Sequence, residues 1–215
     1  VAVVVMAADK GLCGSYNSNV FRTAAPFLRR LKAEGKTPHL YVFGRRAAAF
    51  FAKLKDVDLK WVYPDSFEKI DFRRAKSLTA ELSKGFIEGA HQEVHVVYTS
   101  VKGAASFKAT TQRILPVPRP EASDTAKDED YILEPSPIEI MERLLPRFLD
   151  MQLFAAALES LASEFASRRI AMKSATDNAD EMSAALNQEY NKARQTGITG
   201  ELLEIVGGAE ALRSA

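Results

Sequence analysis

Over the first 117 residues, short β-branched runs alternate with amphipathic stretches. "VAVVVMAA" precedes "NVFRTAAPFLRRLKAEG", "HLYVFG" precedes "RRAAAFFAKLK", and "VDLKWVY" precedes "FRRAKSLTAELSKGFIEG"; "EVHVVYTSV" and "KATTQRILPVP" follow. Unbroken apolar runs read as strands buried on both faces, and apolar positions three and four apart read as helices laid over them. The alternation predicts an α/β domain over 1–117 with a mostly parallel sheet and flanking helices. The last two runs are separated by "KGAASF", too short for a crossover helix, so they are expected as an antiparallel pair at one edge.

The pattern changes after that. Residues 118–135 are polar and proline-bearing without a period, and read as an exposed loop or linker. Ser136 and Pro137 then supply a helix start, and the fifty residues from Arg147 to Thr196 contain neither proline nor glycine. A helix of that length would run about 75 Å. Steps of three and four pick out Leu158, Leu161, Phe165, Arg168, Met172, Ala175, Ala179, Met182, Leu186, Glu189 and Ala193, nine of them apolar. This is a coiled-coil seam rich in small residues, which let another backbone come close. These 215 residues hold no second long helix to lie along it, so the partner helix is expected outside this sequence. The chain also begins inside a strand with Val1 and not Met, so further sequence upstream is expected.

Composition narrows the picture only a little. Of the 215 residues 47% are hydrophobic, enough for one substantial core or a domain with an extended appendage. Twenty-nine basic residues face 28 acidic ones, a balance that gives no argument for nucleic acid or an anionic membrane as a dedicated partner. Arg29-Arg30, Arg45-Arg46 and Arg73-Arg74 sit among acids on amphipathic stretches and read as solvated helix faces. One cysteine excludes an intrachain disulfide, and a reducing compartment is expected. No apolar run approaches the roughly 20 residues of a membrane span, and no signal-peptide pattern is present, so membrane association is expected only through partners.

Candidate chemistry is thin. "AADKGLCGSYNSNV" (7–20) follows a strand and opens a helix, the layout of many phosphate sites. Yet Lys10 precedes Gly11 and Gly14 is followed by Ser15, which breaks the Walker spacing, and two glycines do not make a dinucleotide fingerprint. The competing reading is that Gly11 and Gly14 form a structural turn, with Asn17 or Ser18 capping the helix. Cys13 would be a nucleophile only with a histidine beside it, and reads as a small packed residue. His39, His91 and His95 show no metal spacing. No metal or other cofactor is expected.

Four segments carry a family resemblance. "SEFASRRIAMKSATDNADEM", "YNKARQTGITGELLEIVGGAEAL", "DKGLCGSYNSNVF" and "YILEPSP" resemble, in order and across the whole chain, motifs of the gamma subunit of F-type ATP synthases. Departures are Phe165 where the family usually has His, and a helix-weakening Gly200 where it has a polar residue; the cysteine-bearing regulatory insert of chloroplast members is absent.

The resemblance implies a Rossmann-like α/β domain followed by a long C-terminal helix over 136–215, wound with an N-terminal helix upstream of Val1 into an antiparallel coiled coil. It implies no catalytic residue and no nucleotide in the glycine turn. The chain would be the non-catalytic central rotor of a proton-translocating ATP synthase, passing torque and imposing asymmetry on a ring of alpha and beta subunits whose beta subunits do the chemistry. Arg194, Gln195 and Thr199 match positions that meet a beta-subunit loop, and Tyr131 and Glu134 match positions at the foot that touch the membrane ring of c subunits. An epsilon subunit completes the implied partners. The implied location is peripheral, on the cytoplasmic face of a bacterial inner membrane or the matrix face in mitochondria. From the residues alone, a free-standing α/β nucleotide-binding enzyme and a homodimeric coiled-coil tether also stand open.

Overall fold

A computed structural model describes residues 1–54, 58–63, 70–103, 106–118 and 134–213. Along these residues run β1 (Ala2–Met6), α1 (Tyr16–Ala33), β2 (His39–Phe43), α2 (Arg45–Phe51), β3 (Asp58–Tyr63), α3 (Phe72–Ile87), β4 (Val94–Gly103), β5 (Ser106–Leu115) and α4 (Pro137–Arg213). The chain divides into two compact units, Val1–Ile170 and Ala171–Ala215.

In the first unit the strands make one sheet in the order β3-β2-β1-β4-β5. β1 pairs in parallel with β2 and β4, and β2 in parallel with β3, with a helix on each crossover. β5 returns antiparallel along β4, as the short connection between them requires. This is the mostly parallel sheet with one antiparallel edge that the alternation predicts.

Successive strand residues point to opposite faces, so every residue of β1 is buried. Val3 and Val5 join a core with Val20, Phe27, Leu28 and Leu31 of α1 and Phe51 of α2. Val4 and Met6 join the other, with Leu78 and Leu82 of α3 and Leu149, Leu153, Ala156 and Ala157 of α4. The three arginine pairs are exposed, as solvated helix faces should be.

Three local features set the loops. α4 starts where Ser136 and Pro137 place it: the Ser136 hydroxyl accepts the Glu139 N–H and donates to the Glu139 carboxylate, both at 3.3 Å. The start of α1 differs from the expectation. Ser15 stands at its N-cap without a side-chain capping bond, its Oγ instead accepting from Asn19 Nδ2 at 3.2 Å, and neither Asn17 nor Ser18 caps. Asn17 lies inside the first turn, where its amide reaches back over the loop: Oδ1 accepts the Ala8 N–H at 3.0 Å and Nδ2 donates to Cys13 Sγ at 3.2 Å. At the start of α2, Gly44 has φ +89°, and a Cβ there would lie 2.0 Å from the Ala7 carbonyl oxygen.

Just before β4, Glu93 accepts from His95 Nε2 at 2.7 Å and from Lys36 Nζ at 2.9 Å. The His95 bond first and the Lys36 bond second hold its carboxyl down to about 2. A carboxyl held below its unfolded value contributes stability that is fully present above that value, about 4.5, and is lost as pH falls toward 2. Glu93→Gln is therefore expected to flatten the acid side of the stability curve between those limits, measured by urea unfolding at stepped pH.

Candidate functional site

In open parallel sheets the ligand crevice lies beyond the carboxyl ends of the two strands where the strand order reverses. Here those strands are β1 and β4. The glycine turn follows β1, and Thr99 lies just past Val97, the last β4 residue paired with β1. A side of α4 sits in this place. Ser160 Oγ shares a hydrogen bond with the Tyr16 hydroxyl at 2.8 Å and accepts the Thr99 N–H at 3.2 Å. Ser163 Oγ donates to the Thr99 carbonyl at 3.2 Å, and Ser167 Oγ to the Cys13 carbonyl at 2.7 Å. Arg168 Nη2 donates to the Gly11 carbonyl at 3.4 Å and forms an ion pair with Glu164, one turn back on the same helix. Ser160, Ser163 and Glu164 are each 0% exposed. Burial pushes the Tyr16 phenol up, so it stays a neutral partner for Ser160.

The turn is held from two sides. Gly14 takes φ +57° and Leu12, exposed and without glycine's freedom, takes φ +61°. Gly11 gives room instead of conformation, since a Cβ on it would stand 2.6 Å from Arg46 Nη2. Carbonyl oxygens that flank Leu12 are the ones α4 binds. Cys13 is buried and its thiol is pushed up, by burial above all, which keeps it a packed, un-ionised group. The histidines are engaged in the sheet: His39 Nδ1 with Asp58 at 2.9 Å, His91 Nε2 with the Tyr41 hydroxyl at 3.3 Å, and His95 with Glu93. Among the described residues no three His, Cys, Asp or Glu side chains gather as a metal would need.

Of the seam, Leu158 and Phe165 are exposed in the first unit, while Leu161 packs partly against the core. In the second unit Met172, Ala175, Ala179, Met182, Leu186 and Ala193 are all exposed, with Met182 at 65% and Leu186 at 59%. Arg194, Gln195 and Thr199 are exposed there too. Arg194 and Gln195 differ by about 100° around the helix, and Thr199 lies one turn beyond Gln195. Glu134 is exposed ahead of α4, and Tyr131 lies outside the described residues. Among the described residues no helix is long and apolar enough to cross a membrane.

Pattern reading assigns Arg168 to the seam and passes over Ser160, Ser163, Glu164 and Ser167. Their signal is a stripe of small and hydroxyl residues, Ala156, Ala157, Ser160, Ser163 and Ser167, about 100° from the apolar one.

The family model described as ATP synthase matches residues 1–212. The ATP synthase gamma chain of Mycobacterium marinum is 39% identical over 226 residues, covering 99% of this chain and 74% of that protein. That of Fusobacterium nucleatum is 38% identical over 216 residues, with 99% and 73% covered. Among solved structures, a chain of the Euglena gracilis mitochondrial ATP synthase OSCP/F1/c-ring assembly superposes with a TM-score of 0.69 at 20% identity, covering 100% of this chain and 73% of that one. A chain of the Tetrahymena thermophila mitochondrial ATP synthase central stalk/c-ring gives 0.59 at 24% identity, with 81% and 75% covered.

A mostly parallel α/β sheet whose ligand crevice holds the chain's own helix, with a further helical unit whose apolar side chains stand open, fits a subunit of a larger assembly. The chain belongs to the ATP synthase gamma chain family, a subunit family of an enzyme whose activity is that of the complex.

Proposed function

We propose that this chain is the turning shaft of its ATP synthase, carrying torque between a membrane ring of c subunits and a catalytic ring of alpha and beta subunits. One asymmetric shaft cannot present the same face to three identical beta subunits, so it makes their sites inequivalent at any instant. The observation that carries this reading is the open apolar stripe from Met172 to Leu186 on a chain of this family. A stripe of that kind needs a cover, and an N-terminal helix wound antiparallel along the seam supplies it. In this reading the α/β domain over 1–117 and the linker over 118–135 form the foot, with Tyr131 and Glu134 toward the c ring and an epsilon subunit alongside. The foot faces the cytoplasm in a bacterium, or the matrix in a mitochondrion.

Arg194, Gln195 and Thr199 are the proposed grip on a beta-subunit loop. A guanidinium donates in a fixed fork suited to a carboxylate, and a glutamine amide both donates and accepts, which suits a grip made at one rotary angle and released at another. Both side chains are exposed, so Arg194→Ala and Gln195→Ala are expected to leave folding intact. In reconstituted complexes they should slow ATP turnover by roughly tenfold for each ~1.4 kcal/mol of angle-dependent binding energy that they remove. Wild-type hydrolysis and synthesis rates with normal assembly would remove the grip from this reading.

A further inference from the structure

α3 and α4 cover the same face of the sheet, and the packing between them is complete at one end only. Near the start of α3, Phe72 meets Phe154 of α4 edge to face, with ring centroids 5.6 Å apart. Toward the end of α3, Phe86 and Leu145 stand instead on the walls of a cavity of about 320 Å³, with the buried Leu115 and Leu149 as its floor. Ile87, 83% exposed, stands at its rim. That volume falls in the range of small-molecule sites, roughly 300–1,000 Å³.

The chemistry of the lining is lopsided. Phe86, Ile87, Leu115, Leu145 and Leu149 bring hydrocarbon, and Pro146 has not even a main-chain N–H to give. Set among them is one carboxylate, Asp150, only 7% exposed. Among the described residues it forms no ion pair. Lys76, exposed at the edge of the cavity, attracts it from beyond ion-pair distance, and the Thr79 hydroxyl eases it with a hydrogen that the Ala75 carbonyl also accepts, at 2.9 Å. Burial outweighs both and pushes the Asp150 carboxyl up. A buried anion without a counter-charge is costly, and a cation that reaches it through an apolar cavity relieves that cost.

We infer that the cavity between α3 and α4 is a binding site for a small organic amine, with its ammonium on Asp150 and its apolar body against Phe86, Leu145 and Leu149. An ammonium brings three donors, which the hydrocarbon walls lack, and the body displaces water from apolar surface. A neutral molecule of the same shape would leave the carboxylate without its counter-charge, and an anion would meet a like charge, so the site sorts ligands by charge. All of these residues belong to the first unit, and the inference stands apart from the shaft reading.

The test titrates the assembled complex by calorimetry with 4-phenylbenzylamine and with its neutral isostere, 4-phenylbenzyl alcohol. The wild-type complex should hold the amine roughly tenfold or more tightly than the alcohol, because only the amine makes a charge-assisted bond. Asp150→Asn should remove that preference while leaving the affinity for the alcohol and the ATPase rate unchanged. Ala80→Trp, at an exposed lining position of α3, should fill the cavity and abolish binding of both. Equal affinities in the wild-type complex, binding of neither probe, or a preference for the amine that survives Asp150→Asn each overturns the site. Should Asp150→Asn not assemble, Ala80→Trp decides alone: amine binding that persists with the cavity filled overturns it.

Discussion

Gly44→Ala is expected to destabilise the first unit by about 4 kcal/mol or more, a loss comparable with the whole stability of many domains. Two causes act together. The backbone at Gly44 has φ +89°, which L side chains rarely adopt, and the added methyl would lie 2.0 Å from the Ala7 carbonyl oxygen, far inside van der Waals distance. That oxygen belongs to main chain running on from β1, the buried centre of the sheet, so it cannot step aside without moving β1 or α2. Gly89→Ala is the control: φ is +78°, yet nothing lies within 4 Å of the new Cβ, and the cost should be the conformational one alone, about 1–2 kcal/mol. Denaturant midpoints of the two variants measure the difference. Equal midpoints would mean that the main chain at Ala7 yields to the added methyl.

Arg168→Met is expected to cost about 3–5 kcal/mol, because it removes the counter-charge of a carboxylate with no solvent exposure. The same change in a Glu164→Leu background should cost little, since no charge is then left behind. The difference between the two costs is the coupling of the pair, obtained from a double-mutant cycle by urea unfolding. A small cost for the single change would show that Glu164 is satisfied without Arg168. The pair lies within one helix, yet its effect is tertiary: it is the surrounding burial, under the loop that Arg168 binds at Gly11, that makes the missing charge expensive.

What the sequence makes legible and what it hides divide along a physical line. Strands β1, β2 and β4 are plain because unbroken Val, Ile, Leu and aromatic runs have few other uses, and the β4–β5 pair is plain because six residues cannot hold a crossover. The start of α4 is plain because Ser136, Pro137 and Glu139 act on neighbours in the chain. Hidden features depend on residues far apart. Asn17 looks like a cap, but its amide is drawn to Ala8 and Cys13 by a loop whose path is set from α4. The buried side of α4 is hidden because its members past Ala157 are serines and a glutamate, which a periodicity reading assigns to solvent. The exposed stripe at Leu158 and Phe165, one residue along, carries the stronger apolar signal although it is the open side in this chain. Conformation at Leu12 gives no sequence signal at all, since leucine rarely adopts a positive φ.

The two cores also differ in when their parts become available during synthesis. The core that α1 and α2 cover has its last buried member at Val97, so a nascent chain can complete that face once β4 has left the ribosome. The opposite face needs Leu149, Leu153, Ala156 and Ala157, which emerge much later. Until then that face has only Leu78 and Leu82 of α3 over it, and the crevice at Thr99 stands open. During that interval the nascent subunit presents a half-covered apolar sheet face to chaperones and to its neighbours, and translation pauses placed before α4 would lengthen it.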